Sequence, residues 1–154
     1  MMRDLQLLAV LALTVVCSAC GLQVKSQSVS ADGHHRVILL QQRLLQLGGG
    51  LDIRYETDSN LSYATHEIGD VYLNFIEYAW SKDSKRVGFF IAAMPRKGFA
   101  FDFEARKEIP FEEMQGLVAD KIRTDYGLTI SEDPFRCSRC TERFIKEHPS
   151  SVTY

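Results

Sequence analysis

Residues 86–104, which read RVGFFIAAMPRKGFAFDFE, decide the fold. Residues 86–94 carry apolar side chains at both alternating sets of positions, which predicts a strand buried on much of both faces. Pro95–Gly98 supplies turn residues, and the following residues alternate, with Phe99, Phe101 and Phe103 on one side. The stretch therefore predicts two strands of an antiparallel meander with one packed face.

Three segments upstream have the pattern of further strands. Residues 35–41 are apolar with branched side chains early, and the residues that follow them up to 47 fit either a strand or a helix. Residues 52–57 alternate, which predicts a half-buried strand. Residues 70–80 are rich in aromatic and branched side chains, as strands buried on both faces are. The three glycines at 48–50 indicate a turn or loop.

The pattern becomes helical after Pro110, which suits the first turn of a helix. Glu112 and Glu113 follow near the positive end of the helix dipole, and Gly127 is placed as a left-handed cap. The polar face is mixed in charge, which favours core packing over a membrane-surface helix. An apolar stripe, which we expect to pack on the phenylalanine face of the sheet, consists of Phe111, Met114, Leu117, Val118, Ile122 and Tyr126.

These elements predict an α+β domain. It has an antiparallel sheet of four to six strands, one long C-terminal helix packed on it, and a short terminal helix over residues 137–147. The chain has 154 residues, of which 45% are hydrophobic, and this suits one core and one domain over residues 32–154. The net charge is −2, and short basic groups alternate with acidic residues, so we expect no nucleic-acid partner.

The N-terminus has the pattern of an export signal. Residues 5–16 read LQLLAVLALTVV, an apolar run too short to span a bilayer but of the length of a signal-peptide core. Small residues then precede a cysteine in the sequence Cys17-Ser18-Ala19-Cys20-Gly21. We therefore predict a signal peptide over residues 1–19. An uncleaved or cytoplasmic segment is the alternative in which no export occurs.

Ser18-Ala19-Cys20 resembles the lipobox of bacterial lipoproteins, although Cys17 stands where that family prefers Leu. The resemblance implies that the signal is cut before Cys20, that Cys20 is lipidated, and that the chain is anchored at the cell envelope. Because Gly21 replaces the Asp of inner-membrane retention, it favours the outer membrane where the host has one. Residues 20–31 then form a flexible tether. The alternative is plain secretion after cleavage at the same site.

Two segments share a turn pattern. Ser30-Ala31-Asp32-Gly33 precedes Arg36-Val37, and Trp80-Ser81-Lys82-Asp83-Ser84 precedes Arg86-Val87. The second resembles the turn of TolB-type β-propeller repeats, with Lys82 in place of Pro. Two copies are too few to close a propeller, which needs at least four blades. We therefore expect two hairpin turns in one small sheet, in a chain similar to small bacterial lipoproteins of unassigned role.

Cys137 and Cys140 form the one motif of the mature domain that carries chemistry. In an oxidising compartment we expect them to form a disulfide. Cys-x-x-Cys at a helix start is also the thioredoxin-type redox arrangement, although that fold has its motif after the first strand. A free or metal-linked pair is the third possibility, but the spacing matches no strong zinc pattern, so we predict no metal site and no cofactor.

No catalytic constellation is recognisable in the sequence. There is no Gly-x-Ser-x-Gly elbow, and neighbouring carboxylates such as Glu112 and Glu113 do not face each other on a helix. The leading hypothesis is a non-enzymatic envelope lipoprotein that binds an unknown protein partner or supports an envelope assembly. The alternatives are a thiol-active envelope protein that uses Cys137 and Cys140, and a small inhibitor or immunity lipoprotein.

Overall fold

The computed structural model describes residues 22–42, 51–58, 61–63, 75–92 and 96–147. It confirms the α+β class, but the strands form two four-stranded antiparallel sheets where one sheet was expected. The first sheet consists of β1 (Leu22–Val29), β2 (His35–Gln42), β3 (Leu51–Thr57) and β4 (Leu61–Tyr63). The second consists of β5 (Ile76–Trp80), β6 (Arg86–Ile91), β7 (Lys97–Asp102) and β8 (Lys107–Ile109). Among the described residues there are two α-helices, α1 (Glu112–Tyr126) and α2 (Ser138–Glu147), with a 3-10 helix at Pro134–Arg136 between them.

The expected tether at residues 20–31 is wrong for most of its length, because Leu22–Val29 is β1. This strand pairs with β2 from Leu22 opposite Gln42 to Val29 opposite Arg36, with one bulge between Val24 and Ser26. The segment reads LQVKSQSV, and its polarity gave it the appearance of a linker. Strand pairing is therefore already present at Leu22, two residues after Cys20.

The two sheets pack face to face around one apolar core. Alternate residues of β2 and β3 point inward, among them Val37, Leu39 and Tyr55, and all three are fully buried. The second sheet contributes the side of β7 that carries Phe101, whose ring stacks on that of Tyr55 at 4.0 Å. This core is therefore built across the two sheets, and the phenylalanine face predicted from the sequence is one of its walls.

Helix α1 covers the opposite face of the second sheet, so the expected packing of the helix on the phenylalanine face is wrong. The helix approaches the backbone closely at Gly88, where an added Cβ would lie 2.5 Å from Met114 Cβ. Val118 and Ile122 are fully buried in a second core with Phe90 of β6. Leu117, assigned to the same stripe, is 44% exposed. The molecule thus has three layers, with the second sheet in the middle.

The predicted ends of α1 are confirmed. Gly127 has φ 62° and forms the left-handed cap, and the Leu128 N–H donates to the Arg123 carbonyl at 2.9 Å. The predicted second helix is also present as α2. In the part of the chain that the structure describes, no helix is both long and apolar enough to cross a bilayer.

The two repeated turns adopt the same hydrogen-bonded structure. In the first, the Ser30 hydroxyl donates to Asp32 Oδ1 at 2.5 Å, and Gly33 has φ 79°. In the second, the Ser81 hydroxyl donates to Asp83 Oδ1 at 2.6 Å, and Ser84 takes the positive φ of 59°. The turns are confirmed as hairpin turns, but each joins the first two strands of a different sheet.

This repeat shows how the layers stack. When Ser30 is aligned with Ser81, the inward residue Val37 of β2 corresponds to Gly88 of β6, which faces α1. The residue of β6 that faces the first sheet, Val87, corresponds instead to Arg36. The face of the first sheet that carries Val37 therefore packs on the face of the second sheet that carries Val87, which is the opposite face in the repeat. The sheets stack head to tail, and α1 covers the remaining face of the second sheet, which carries Gly88.

Candidate functional site

Cys137 and Cys140 lie at the start of α2 and are bonded, with an S–S distance of 1.99 Å and a Cα–Cα distance of 5.3 Å. Their surroundings differ. Cys140 is fully buried in the second core, together with Phe90 and Ile122, whereas Cys137 is half-buried at the first turn of the helix. The bond closes a local loop at the start of α2, and the buried Cys140 packs this segment into the second core.

The same geometry defines what this pair can do chemically. The Cys140 N–H donates to Cys137 Sγ at 3.1 Å, and a sulfur at a helix N-terminus also faces the positive end of the dipole. A reduced Cys137 would therefore hold a thiolate more readily than Cys140. The nearby Arg139 adds little to this effect, because its guanidinium is paired with Glu132. Arg136 is highly exposed and lies 3.7 Å from Asp133.

An open groove of about 500 Å³ runs between α1 and the segment that joins it to the 3-10 helix. Sequence reasoning did not find it. The helix side carries small or polar residues, and Ile130 stands on the opposite rim with 92% of its surface exposed. The lining consists of Glu112, Gln115, Gly116, Ala119, Arg123, Ile130, Ser131, Glu132, Asp133, Pro134 and Phe135.

The segment that presents Ile130 is fixed at several points. Glu132 accepts hydrogen bonds from the N–H and the hydroxyl of Thr129, at 2.7 Å and 3.0 Å, and these bonds lower the pKa of that carboxyl. The Asp133 carboxylate accepts from the Phe135 N–H at 2.9 Å and caps the 3-10 helix. A single exposed isoleucine is ordinary on a protein surface, but this one is held on a braced loop at the rim of an open groove. The one sequence signal was an apolar residue inside a polar run, Thr129-Ile130-Ser131-Glu132.

Two clusters of titratable groups lie elsewhere. His34 and Asp58 form an exposed ion pair beside the first turn, and this hydrogen bond raises the pKa of His34. Glu77 of β5 faces α1, where burial raises the pKa of its carboxyl and Lys121, 3.7 Å away, opposes that change. Neither cluster has the geometry of a metal centre, and the described residues contain no group of three or more potential metal ligands.

The remaining predicted site features lie outside the described residues. These are the signal at 1–19, the lipidation residue Cys20 and the glycines at 48–50. Comparison with known proteins gives no match: no protein-family model, no curated protein and no solved structure matches this chain.

Proposed function

We propose that this chain is a non-enzymatic lipoprotein of the cell envelope, held at the membrane through Cys20, which binds a protein partner. The proposed location at the cell envelope rests on the apolar run at 5–16, which is followed by Ser18-Ala19-Cys20. Strand β1 begins at Leu22, two residues after the proposed lipidation site. A bonded Cys137–Cys140 pair fits an oxidising compartment.

The binding part of the proposal rests on one observation, the 92% exposure of Ile130 on the rim of the groove beside α1. Exposed isoleucine costs free energy in water, and burial against a partner recovers roughly 1.5–3 kcal/mol. The groove floor is formed by small residues, among them Gly116 and Ala119, so a partner side chain has room to enter. Glu132 and Asp133 in the lining are already paired with Arg139 and Arg136. The apolar surface of Ile130 is therefore the main contact that the rim offers a partner.

The anchor is tested by the intact mass of the chain extracted from host membranes. We expect a mass that starts at Cys20 and includes acyl chains, and we expect Cys20→Ser to remain in the soluble fraction or to keep its signal. A wild-type mass without acyl chains, cut at the same site, would instead establish plain secretion.

The binding surface is tested by capture of partners from envelope extract on the full-length lipidated chain. Ile130→Asp should lose the specific partner, whereas Val29→Asp should keep it, because Val29 is 52% exposed on the other sheet. Equal capture by both variants would remove the groove from the proposal. One tightly bound partner in a one-to-one ratio would identify the chain as an inhibitor or immunity lipoprotein, and several weak partners would indicate envelope support.

A thiol-active envelope protein is the second candidate. The observation that favours it is the asymmetry of the cysteines, because Cys137 is accessible at a helix start and Cys140 is buried behind it. Insulin reduction by the purified chain tests this function, with Cys137→Ser and Cys140→Ser as paired variants. Activity that is lost in Cys137→Ser would establish it. No activity above the background of free dithiothreitol would leave the disulfide as a structural clip.

A further inference from the structure

The distance between the proposed lipid and the fold restricts how the domain can stand on the membrane. Cys20 precedes Leu22 by two residues, so their Cα atoms lie within about 7 Å of each other whatever the intervening conformation. Leu22 is the first residue of β1 and pairs with Gln42, the last residue of β2. This end of the first sheet, called here the anchor end, must therefore lie beside the bilayer surface.

The second sheet has the same polarity. Tyr78 donates to Ser26 and Trp80 donates to Ser28, so β5 runs parallel to β1 at a constant offset. The bulge after Val24 shifts this offset by one residue, so Ile76, the first residue of β5, is level with Gln23 near the start of β1. Ile76 pairs with Ile91, which in turn pairs with Lys97. The anchor end of the second sheet thus carries the end of β6 and the start of β7.

Basic side chains gather at this end. Arg96 and Lys97 are both exposed, and Arg96 donates to the Phe135 carbonyl at 2.8 Å, which brings the highly exposed Arg136 to the same end. Neither Arg96 nor Lys97 has a carboxylate partner within the described ranges. Asp133 lies 3.7 Å from Arg136 and offsets part of its charge, and Glu132 in the same segment is paired with Arg139. Asp52 and Glu77 lie one residue further from the end, and Glu77 is paired with Lys121.

We infer that the anchor end docks on the anionic lipid surface to which Cys20 is attached, with Arg96, Lys97 and Arg136 against the headgroups. The inference rests on the proposed lipidation of Cys20. The opposite end carries both repeated turns, Ser30–His35 and Ser81–Arg86, and lies roughly 25 Å away, the length of an eight-residue strand. The domain therefore stands upright, with its two turns pointing away from the membrane. A domain on a long flexible tether would instead tumble.

Two fluorophore positions test this orientation in the full-length lipidated chain. Lys97→Cys at the anchor end is combined with Lys82→Gln, and Lys82→Cys in the far turn is combined with Lys97→Gln. Both labelled chains therefore lack the same two exposed lysines, of which Lys97 belongs to the docking surface. Each variant is labelled without reduction, checked by intact mass for acyl chains at Cys20, and placed in vesicles of phosphatidylglycerol and phosphatidylethanolamine. Nitroxide on the lipid headgroups should quench the label at 97 several-fold more than the label at 82.

The charge contribution is measured with Arg96→Gln and Arg136→Gln in the Lys97→Cys background. Each should weaken docking roughly fivefold, read as the loss of the difference in quenching between anionic and phosphatidylcholine vesicles. Equal quenching at 97 and 82 in a chain that carries acyl groups would overturn the orientation and leave the anchor intact. A chain without acyl groups at Cys20 would overturn the anchor and, with it, the docking.

Discussion

Trp80 Nε1 donates a hydrogen bond of 2.9 Å to Ser28 Oγ, from β5 of one sheet to β1 of the other. Two residues earlier, the Tyr78 hydroxyl donates to Ser26 Oγ at 3.0 Å. The small serines leave space for the two aromatic rings, and their hydroxyls accept the polar hydrogen that each ring brings into the sheet interface. These bonds fix the register between sheets that share no backbone ladder.

Ser28→Ala should lower the free energy of unfolding by about 1–2 kcal/mol, because it leaves the half-buried indole N–H without its acceptor. Denaturant unfolding followed by circular dichroism measures this value. Trp80→Phe removes the donor, so the pair should give a coupling energy of about 1 kcal/mol in a double-mutant cycle. Strictly additive effects would mean that the bond contributes nothing across the interface.

Gly88→Ala should destabilise the fold by about 1–3 kcal/mol, because its Cβ would meet Met114 Cβ at 2.5 Å and Val118 at 3.0 Å. Gly116→Ala is the matched control, since its Cβ would lie in open space on α1 and should add about 0.5–1 kcal/mol. Thermal or denaturant unfolding of the two variants measures a loss of stability for Gly88→Ala and a gain for Gly116→Ala. If Gly88→Ala were neutral, the helix would not approach β6 as closely as described.

Asp102→Asn should destabilise the protein at neutral pH, by about 1–3 kcal/mol. The Ala105 N–H and the Arg86 guanidinium, each 2.8 Å from the carboxylate, hold the pKa of Asp102 below its usual 3.8. The stabilisation is therefore fully present above about pH 4 and is lost as the pH falls through the folded-state pKa. Unfolding curves of wild type and variant should converge in acid. If the difference in unfolding free energy between wild type and variant did not change with pH, the effect would come from side-chain packing and not from the charge of Asp102.

Glu77→Gln should have the opposite effect. Burial raises the pKa of this carboxyl above 4.5, so the folded chain binds its proton more tightly than the unfolded chain does. Ionised Glu77 therefore costs stability at neutral pH, and the amide should increase the free energy of unfolding there. The gain should disappear as the pH falls toward 4.5. A loss at neutral pH would show that the Lys121 pair outweighs the burial.

Several features could be predicted from the sequence because they depend on neighbouring residues. Helix α1 was recognised from an apolar period between Pro110 and a glycine cap, and the hairpin turns from Ser and Asp side chains that bond their own backbone. The strand at 86–94 was correctly expected to be buried on both faces, and β6 is buried from Val87 to Ile91. Each of these signals is complete within a short window of chain.

The missed strand shows where such reasoning fails. The residues of β1 that face inward include Ser26 and Ser28, so its alternation is not one of hydrophobicity. These serines are suited to an interior position only because Tyr78 and Trp80 fill the space and supply donors, and both rings lie 52 residues away. Among the candidate sites, Ile130 was missed for the same reason, since its exposure depends on the bracing of a loop.

The sequence by itself determined the local elements: the helix and its ends, the repeated turns, the strand that begins at Arg86 and the short spacing of Cys137 and Cys140. Only the tertiary structure decided that the strands divide into two sheets, that the phenylalanine face meets Tyr55 and not α1, and that β1 begins beside Cys20. The reason is physical. Alternation and periodicity mark which face of an element is buried, but which surface covers that face depends on contacts between residues far apart in the chain.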